Sequence, residues 1–299
     1  MSTKNNNNEE IISPAKMAWK RLKKNKLAMA GLIILVVIIV VSIIGPFLSS
    51  YTADTMDPDN ITIGPCVQHI LGTDELGRDI LTRLMYAGRI SLSVGLAAVI
   101  VEVVVGSILG AVAGFYGGIV DSLIMRIDDI FMCIPFFPIL IALGALLSDL
   151  KVPPQYRVPL LMLIIGILGW PGLCRIVRGQ ILTLREQEFM IAANSLGLKD
   201  SRKIFKHLLP NTVPSIIVCA TLNIGGAILT ESSLSFLGLG VVPPTPSWGN
   251  MIQSVNDLFK LENYPWLWVA PGVCILLTVM SINLFGDGLR DALDPKLKK

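Results

Sequence analysis

The segment from Gly72 to Asp79 has glycines at the separation found in phosphate-binding loops. Such a loop also needs a Lys followed by a Ser or Thr, because the ammonium group and the hydroxyl bind the phosphates and Mg²⁺. Arg78 and Asp79 stand in those two positions. We therefore predict that this chain does not bind or hydrolyse ATP itself.

The other reactive side chains are too few and too scattered to build a catalytic or metal site. The two histidines, His69 and His207, are far apart, and the five cysteines have neither paired nor metal-ligand spacing. We find no Ser/Lys dyad, no pair of membrane aspartates and no HExxH motif, so the sequence argues against an intramembrane protease. The sequence predicts no catalytic residue, no metal ligand and no cofactor bound by this chain.

Composition places the 299-residue chain among membrane proteins: 53% of its residues are hydrophobic, only 16% are charged and its mean hydropathy is +0.65. Six apolar windows are long enough to cross a hydrocarbon layer as helices. They are Leu27–Leu48, Leu92–Tyr116, Ile130–Leu147, Val158–Cys174, Thr212–Thr230 and Pro265–Phe285. We expect an all-α, multi-pass membrane protein.

The distribution of basic residues predicts the orientation of these spans. Most of the 25 Lys and Arg residues lie in the N-terminal arm, in the connection after the fourth span and in the C-terminal tail. The positive-inside rule then places both termini in the cytoplasm, with the acidic run from Asp121 to Asp129 as a local exception. We expect residues 1–13 to be a polar tail and 14–26 a basic helix on the inner leaflet, so we divide the chain into a 1–26 arm and a 27–299 transmembrane domain.

The charged stretch at 185–211 separates two apolar segments and must face water. Its pattern predicts a helix from Glu186 to Leu196, a turn at Gly197 and a second helix from Ser201 to Leu208, capped by Asp200 and ended by Pro210. The first helix should group on one face Phe189, Ala192, Ala193 and Leu196. Two small residues between apolar anchors, with basic neighbours, favour docking to a partner.

The same spacing resembles the EAA loop of ATP-binding-cassette importer permeases. The matching positions are Ala192, Ala193, Gly197, Leu209 and Pro210. Ile191 stands where that family usually has the glutamate, and we expect Glu188 to supply the charge. The resemblance implies a coupling helix that sits in a groove of the ATPase subunit, with these contact residues: Glu188, Phe189, Ala192, Ala193, Leu196 and Gly197.

A second motif, ahead of the second span, is similar to that of dipeptide, oligopeptide and nickel importer permeases. Its residues here are His69, Gly72, Thr73, Asp74, Leu76, Gly77, Arg78 and Asp79. This motif marks one branch of the importers, whereas the EAA spacing marks importers in general. An alternative role for Asp74, Arg78 and Asp79 is simply to brace a loop.

Small and polar residues inside the spans indicate packing and a possible path. Glycines recur every four residues at Gly106, Gly110, Gly114 and Gly118, which predicts close helix packing. Glu102 could serve translocation or an interhelical hydrogen bond. The fifth span has Asn223, Thr230 and Glu231 on one face, and with Thr278 of the sixth span we predict that they line the translocation path.

The resemblance, which runs from Lys16 to Pro295, implies a type I importer permease of the bacterial cell membrane, specifically the C-type subunit of a peptide importer. Its implied partners are a second homologous permease, two cytoplasmic ATPases that bind ATP and Mg²⁺, and an extracytoplasmic peptide-binding protein; no nucleic acid is expected. Closure of the ATPases would move the coupling helix and switch the spans between inward-facing and outward-facing states.

Two alternatives stay open from the sequence. A nickel importer permease of the same branch would share these motifs, because selectivity is expected largely in the binding protein. An ion-driven secondary transporter is disfavoured. Inverted repeats and paired broken helices would favour that class, and we find no repeat in this sequence. The sequence does not identify the residues that contact the cargo.

Overall fold

The computed structural model describes residues 14–293, which form helices and connecting turns without a β-strand. The predicted polar tail at 1–13 lies outside the described residues. The α-helices are α1 (Pro14–Leu22), α2 (Lys26–Leu48), α3 (Ile80–Tyr116), α4 (Gly118–Cys133), α5 (Phe136–Asp149), α6 (Pro154–Leu184), α7 (Glu188–Ser195), α8 (Asp200–Arg202), α9 (Leu209–Phe236), α10 (Trp248–Met251), α11 (Leu258–Asn263) and α12 (Trp266–Leu293).

Five helices in this range are long and apolar enough to cross a membrane, and there are six spans if the bent pair α4 and α5 counts as one. Five of the six predicted spans are therefore confirmed, in the predicted order. The predicted spans are shorter than the helices that contain them: α3 begins at Ile80 rather than Leu92, and α6 continues to Leu184. The helices continue beyond their apolar windows because their polar end turns pack on neighbouring chain.

The predicted third span is wrong as a continuous helix. The chain breaks at Ile134 and Pro135, and the axes of α4 and α5 differ by 79°. Pro135 cannot donate a backbone hydrogen bond and disfavours helical geometry in the residue before it, and Ile134 is indeed extended. Only α5 and the end of α4 belong to the predicted window.

The α3–α6 pair forms the centre of the bundle through backbone contact. A Cβ placed on Gly106, Gly110 or Gly114 would lie 2.5–3.0 Å from a carbonyl oxygen of α6, at Trp170, Cys174 and Arg178 respectively. The predicted packing role of this stripe is confirmed for those three glycines. Gly118 is not part of it, because it begins α4 with a positive φ of 53° and meets no described atom within 4 Å.

The remaining helices surround this pair, and the bundle has two distinct ends. We call the end with the last turns of α3 and α6 the α7 end. Helix α1 docks there on the end of α12, where Leu22, Ala28 and Ala292 form a small buried cluster. We call the other end, with the segments 49–79 and 237–265, the loop end. Alternating helix directions put every predicted site residue at one end or between the two.

Candidate functional site

Helix α7 is the exposed short helix that the sequence predicts, with slightly narrower limits. It covers Glu188–Ser195, so Glu186 and Leu196 flank it rather than belong to it. Gly197 has a φ of 65°, and Leu198 N–H bonds back to Ala193 C=O. The predicted left-handed turn after the helix is confirmed, and it is a position where a β-branched residue would be strained.

The two faces of α7 differ from the predicted grouping. Ala193 lies on the buried face beside Met190, which is 1% exposed, whereas Leu196 is 78% exposed. The prediction that Ala193 shares a face with Phe189 and Leu196 is wrong, because residues 190 and 193, one turn apart, both face the bundle. A small residue at 193 therefore serves packing within this chain.

The outward face of α7 is apolar and exposed. It presents Phe189, Ile191, Ala192 and Leu196, with Glu188 at the start of the helix. Phe205 of the next helix is also exposed. An exposed apolar surface next to charged side chains is typical of a protein interface. The role of these residues in ATPase coupling stays a prediction.

The second helix of the charged stretch departs from the prediction at both limits. Its N-cap residue is Lys199, and Asp200 makes no capping hydrogen bond. The Asp200 carboxylate instead accepts a hydrogen bond from Lys203 Nζ at 3.3 Å. Pro210 does not end the helix, because Asp200–Phe236 is continuous through a π-helical turn at Lys203–Leu208. The wider π turn leaves room for the proline ring, which an α-helix would press against the carbonyl four residues back.

Helix α7 is held to the bundle by an apolar core and by polar contacts around it. Met190 and Ala193 pack with Ile181, Ile204 and Leu208 in one buried cluster. The Arg185 guanidinium donates to the Gly114 carbonyl oxygen at 3.0 Å, and Gln180 donates to the Ser215 hydroxyl. This joint ties α7 to α3, α6 and α9, so a force on α7 acts on three helices.

Sequence reasoning missed a set of ion pairs between α4 and α6 at the same end. Arg175 bonds Asp128 and Asp129 at 2.6 Å each, and Arg178 holds both oxygens of Asp121 at 2.5 and 2.6 Å. The acidic residues of these pairs belong to the Asp121–Asp129 run, the exception to the positive-inside rule noted in the sequence. Their partners could be assigned only after the α4–α6 contact was known.

At the loop end, the branch motif folds into a brace on the start of α3. Asp79 accepts hydrogen bonds from Thr82 N–H at 2.8 Å and from the Thr82 hydroxyl, and it pairs with buried His69 at 3.0 Å. The carboxylate therefore occupies the helix N-terminus, the place where a phosphate would bind in a phosphate loop. This arrangement fits the sequence, in which Arg78 and Asp79 stand where a phosphate loop has its Lys and its Ser or Thr.

The other members of the motif complete this brace. Thr73 donates to the Asn60 carbonyl oxygen at 2.6 Å, and Asp74 accepts from Arg78 Nε at 2.8 Å. Gly72 and Gly77 have φ values of 80° and 71°, which suits glycine in tight turns. Asp74, Arg78 and Asp79 thus make the contacts expected of residues that brace a loop. That the whole motif marks one branch of the importers stays a prediction.

A polar cavity of about 640 Å³ lies between this brace and the 243–267 segment. Glu75 and Lys260, which both line it, form an ion pair at 2.7 Å. Hydrogen bonding to Glu75 raises the pKa of Lys260 above its ordinary value. The ion pair links the brace to α11.

The four predicted path residues do not form one exposed face. Asn223 donates to Glu102, and the Thr230 hydroxyl donates to the Gly226 carbonyl oxygen of its own helix. Glu231 and Thr278 are fully buried. In this conformation the contacts of Glu102 and Asn223 are those of the interhelical alternative, and a path lined by Asn223, Thr230, Glu231 and Thr278 stays a prediction.

Glu231 instead anchors the loop end from inside. Its carboxylate accepts hydrogen bonds from Ser91 at 2.9 Å and Ser235 at 2.7 Å, and Ser91 in turn accepts from Trp248 N–H. The buried Trp248 indole donates to the Leu84 carbonyl oxygen. A charge at this depth would be costly without such partners. The network fixes α10 to α3 and α9.

No group of three or more His, Cys, Asp or Glu residues between 14 and 293 could hold a metal ion. All five cysteines are free. Cys174 is buried, Cys133 is exposed and the other three cysteines are half-buried.

Two family models match this chain. Residues 106–299 match the binding-protein-dependent transport system inner membrane component, and residues 13–65 match the N-terminal transmembrane domain of oligopeptide transport permease C. The first match includes the α7 joint, the ion pairs and Glu231. The second includes α1 and α2.

Curated relatives match over almost the full chain. The dipeptide transport system permease protein of Alkalihalophilus pseudofirmus is 44% identical over 96% of this chain and 91% of its own. The oligopeptide transport system permease protein of Bacillus subtilis is 42% identical, over 97% and 94% respectively. A glutathione transport system permease protein of Escherichia coli is 40% identical, over 97% and 93%.

Proposed function

Because this chain belongs to the family of binding-protein-dependent transport system inner membrane components, we propose that it is a permease subunit of a bacterial ATP-binding-cassette importer for di- or oligopeptides. It would be the C-type subunit and would pair with a second homologous permease. Two cytoplasmic ATPases, which bind ATP and Mg²⁺, and an extracytoplasmic peptide-binding protein would complete the importer.

The observation that carries this proposal is the construction of α7. One face is buried in a rigid joint, and the other is apolar, exposed and next to basic residues. Coupling requires contacts that differ between two states and a stiff connection to the moving part. A helix docked on a partner and packed against three spans meets both requirements, whereas a flexible loop would not.

The same proposal assigns the two ends of the bundle. The α7 end would face the cytoplasm, in agreement with the basic residues of α1 and of the 199–206 stretch. The loop end would face the binding protein. Residues 1–26 form the arm and 27–299 the permease domain, with 185–211 as the coupling loop.

Peptide is the favoured cargo over nickel. The relatives given above are named for dipeptide, oligopeptide and glutathione transport, and all three cargoes contain peptide bonds or an equivalent amide. Selection among peptides would take place mainly in the binding protein.

The test is uptake of labelled peptides of about two to eight residues by cells with and without this chain, a range set to separate dipeptides from longer ones. Nickel uptake is measured in parallel. Loss of peptide uptake alone supports the proposal, and its dependence on peptide length defines the cargo. Loss of nickel uptake alone, or of neither, contradicts the peptide assignment.

A further inference from the structure

Helix α4 is attached to the bundle by charge rather than by an apolar core. Asp128 is its one buried residue, whereas Ile119 is 88% exposed and Leu123 and Ile130 also face outward. Most spans of this chain bury several apolar or small residues. The attachment of α4 therefore depends strongly on the residues that contact its acidic side.

Those residues are two arginines of α6. Arg175 bridges Asp128 and Asp129, and Arg178 makes a bidentate pair with Asp121. Two parallel N–H···O bonds fix direction as well as distance. A ring contact between Phe131 and Trp170, with centroids 5.6 Å apart, lies beyond them toward the bend.

Both ends of α4 have the geometry of joints. Gly117 and Gly118 have φ values of 65° and 53° at its start, and the break at Ile134–Pro135 gives the 79° bend at its finish. A short rigid helix between two such points can swing when its middle is displaced. Arg175 holds the middle of α4 through Asp128 and Asp129, and Arg178 holds its first turn through Asp121.

The same arginines lie close to the coupling helix. Helix α6 ends at Leu184, and Val177 and Ile181, on the turns that carry Arg178, belong to the buried cluster that contains Met190 and Ala193 of α7. A displacement of α7 must therefore move the arginine-bearing turns of α6. Their rigid bonds to α4 would carry the movement across.

We propose that Arg175 and Arg178 are positioning residues that transmit the displacement of the coupling helix to α4, which swings about its glycine and proline joints. This inference rests on the proposed function. It assigns a coupling role to the Arg175–Asp128/Asp129 and Arg178–Asp121 pairs, beyond holding two helices together.

Arg178 is the better residue to test, because Asp121 keeps some contact with solvent whereas Asp128 is fully buried. Removal of Arg175 would leave a buried carboxylate without its partner and could unfold α4. A matched control exists on the same helix: Arg157, which donates to the Val152 carbonyl oxygen and the Ser148 hydroxyl near the loop end.

The experiment uses the complete importer, with its partner permease, ATPases and binding protein, in proteoliposomes. We measure ATP hydrolysed per labelled peptide imported for wild type, R178A, R157A, D121R and the exchanged pair R178D/D121R. R178A and D121R should raise this ratio about five-fold, within the range of mutational effects on coupling. R157A should stay within about two-fold of wild type, and the exchanged pair should return toward it.

A purely structural role predicts a different result. Variants would then assemble in smaller amounts, while the assembled fraction kept the wild-type ratio, and that result overturns the proposal. An exchanged pair that assembles but stays as uncoupled as R178A also overturns it. If the wild-type importer hydrolyses ATP in response to its binding protein but imports no peptide, the peptide assignment fails instead, and the two failures are distinguishable.

Discussion

Short helices are attached to the two ends of this bundle by different kinds of contact. At the loop end, α10 is fixed by a buried indole and a fully buried carboxylate whose oxygens accept from serine hydroxyls. At the α7 end, α7 keeps one face uncovered and α4 is held by partly exposed ion pairs. The first arrangement resists movement, and the second leaves surface for a partner and bonds that can be displaced.

Stability and coupling therefore depend on different parts of this chain. Substitutions at the loop end should mainly cost folding free energy, because they leave buried polar groups unpaired or cavities unfilled. Substitutions on the uncovered surface of the α7 end should mainly cost function. The following predictions test this contrast in order of falling effect on stability.

The largest effect is expected for Trp248→Ala. Loss of this buried side chain and of its bond to the Leu84 carbonyl oxygen should lower the free energy of unfolding by about 4 kcal/mol. The measurement is denaturation of the purified importer. Trp19→Ala, at the half-exposed tryptophan of α1, is the control and should cost about 1 kcal/mol or less. Equal losses in the two variants would contradict the view that the loop end carries more of the stability.

Met190→Ala tests the buried face of α7 at the other end. We expect a loss of about 2–3 kcal/mol, since Met190 fills the cluster with Ile181 and Leu208. Ile191→Ala, on the exposed face of the same helix, should cost less than about 1 kcal/mol. Thermal unfolding of the two variants compares the faces directly. A larger loss for Ile191→Ala would mean that the faces are assigned the wrong way round.

Gly197→Val should affect both stability and coupling. A β-branched residue at a φ of 65° is strained by about 1–2 kcal/mol, which should displace the end of α7. Stimulation of ATP hydrolysis by the binding protein and peptide uptake should both fall. Gly197→Asn is the matched control, because Asn tolerates this geometry. Unchanged stimulation and uptake in Gly197→Val would contradict the role of the turn.

Leu196→Ser should leave stability within about 0.5 kcal/mol of wild type, because the side chain is mostly exposed. It should nevertheless weaken ATPase-subunit binding about ten-fold if Leu196 is an anchor of the interface. Co-purification at graded ATPase concentration measures this. Leu258→Ser, an equally exposed leucine of α11 at the loop end, should not change it. Equal effects would remove the functional half of the contrast.

Much of the fold could be predicted from the sequence, because lipid and backbone hydrogen bonding impose strong rules. Apolar length predicted most of the spans, the four-residue glycine spacing predicted close packing of another helix, which proves to be α6, and Gly197 predicted a turn. These features depend on neighbours in sequence or on one helix face. Local pattern is enough to read them.

Features that depend on distant neighbours could not be read in this way. Polar spacing placed Glu231 on a path, but only its serine partners show that it is enclosed. Ala193 was placed with exposed residues because helix periodicity does not say which face is covered. The Arg178–Asp121 pair joins residues 57 positions apart, and no local pattern connects them.

The π turn at Lys203–Leu208 has a consequence for how chain length can vary. A π turn is an α-helix with one additional residue, and here it precedes Pro210, whose ring it accommodates. A relative without that proline could lose one residue at this turn and keep its fifth span in the same rotational phase. Among homologous sequences, a one-residue deletion between 203 and 208 should therefore occur together with replacement of the proline.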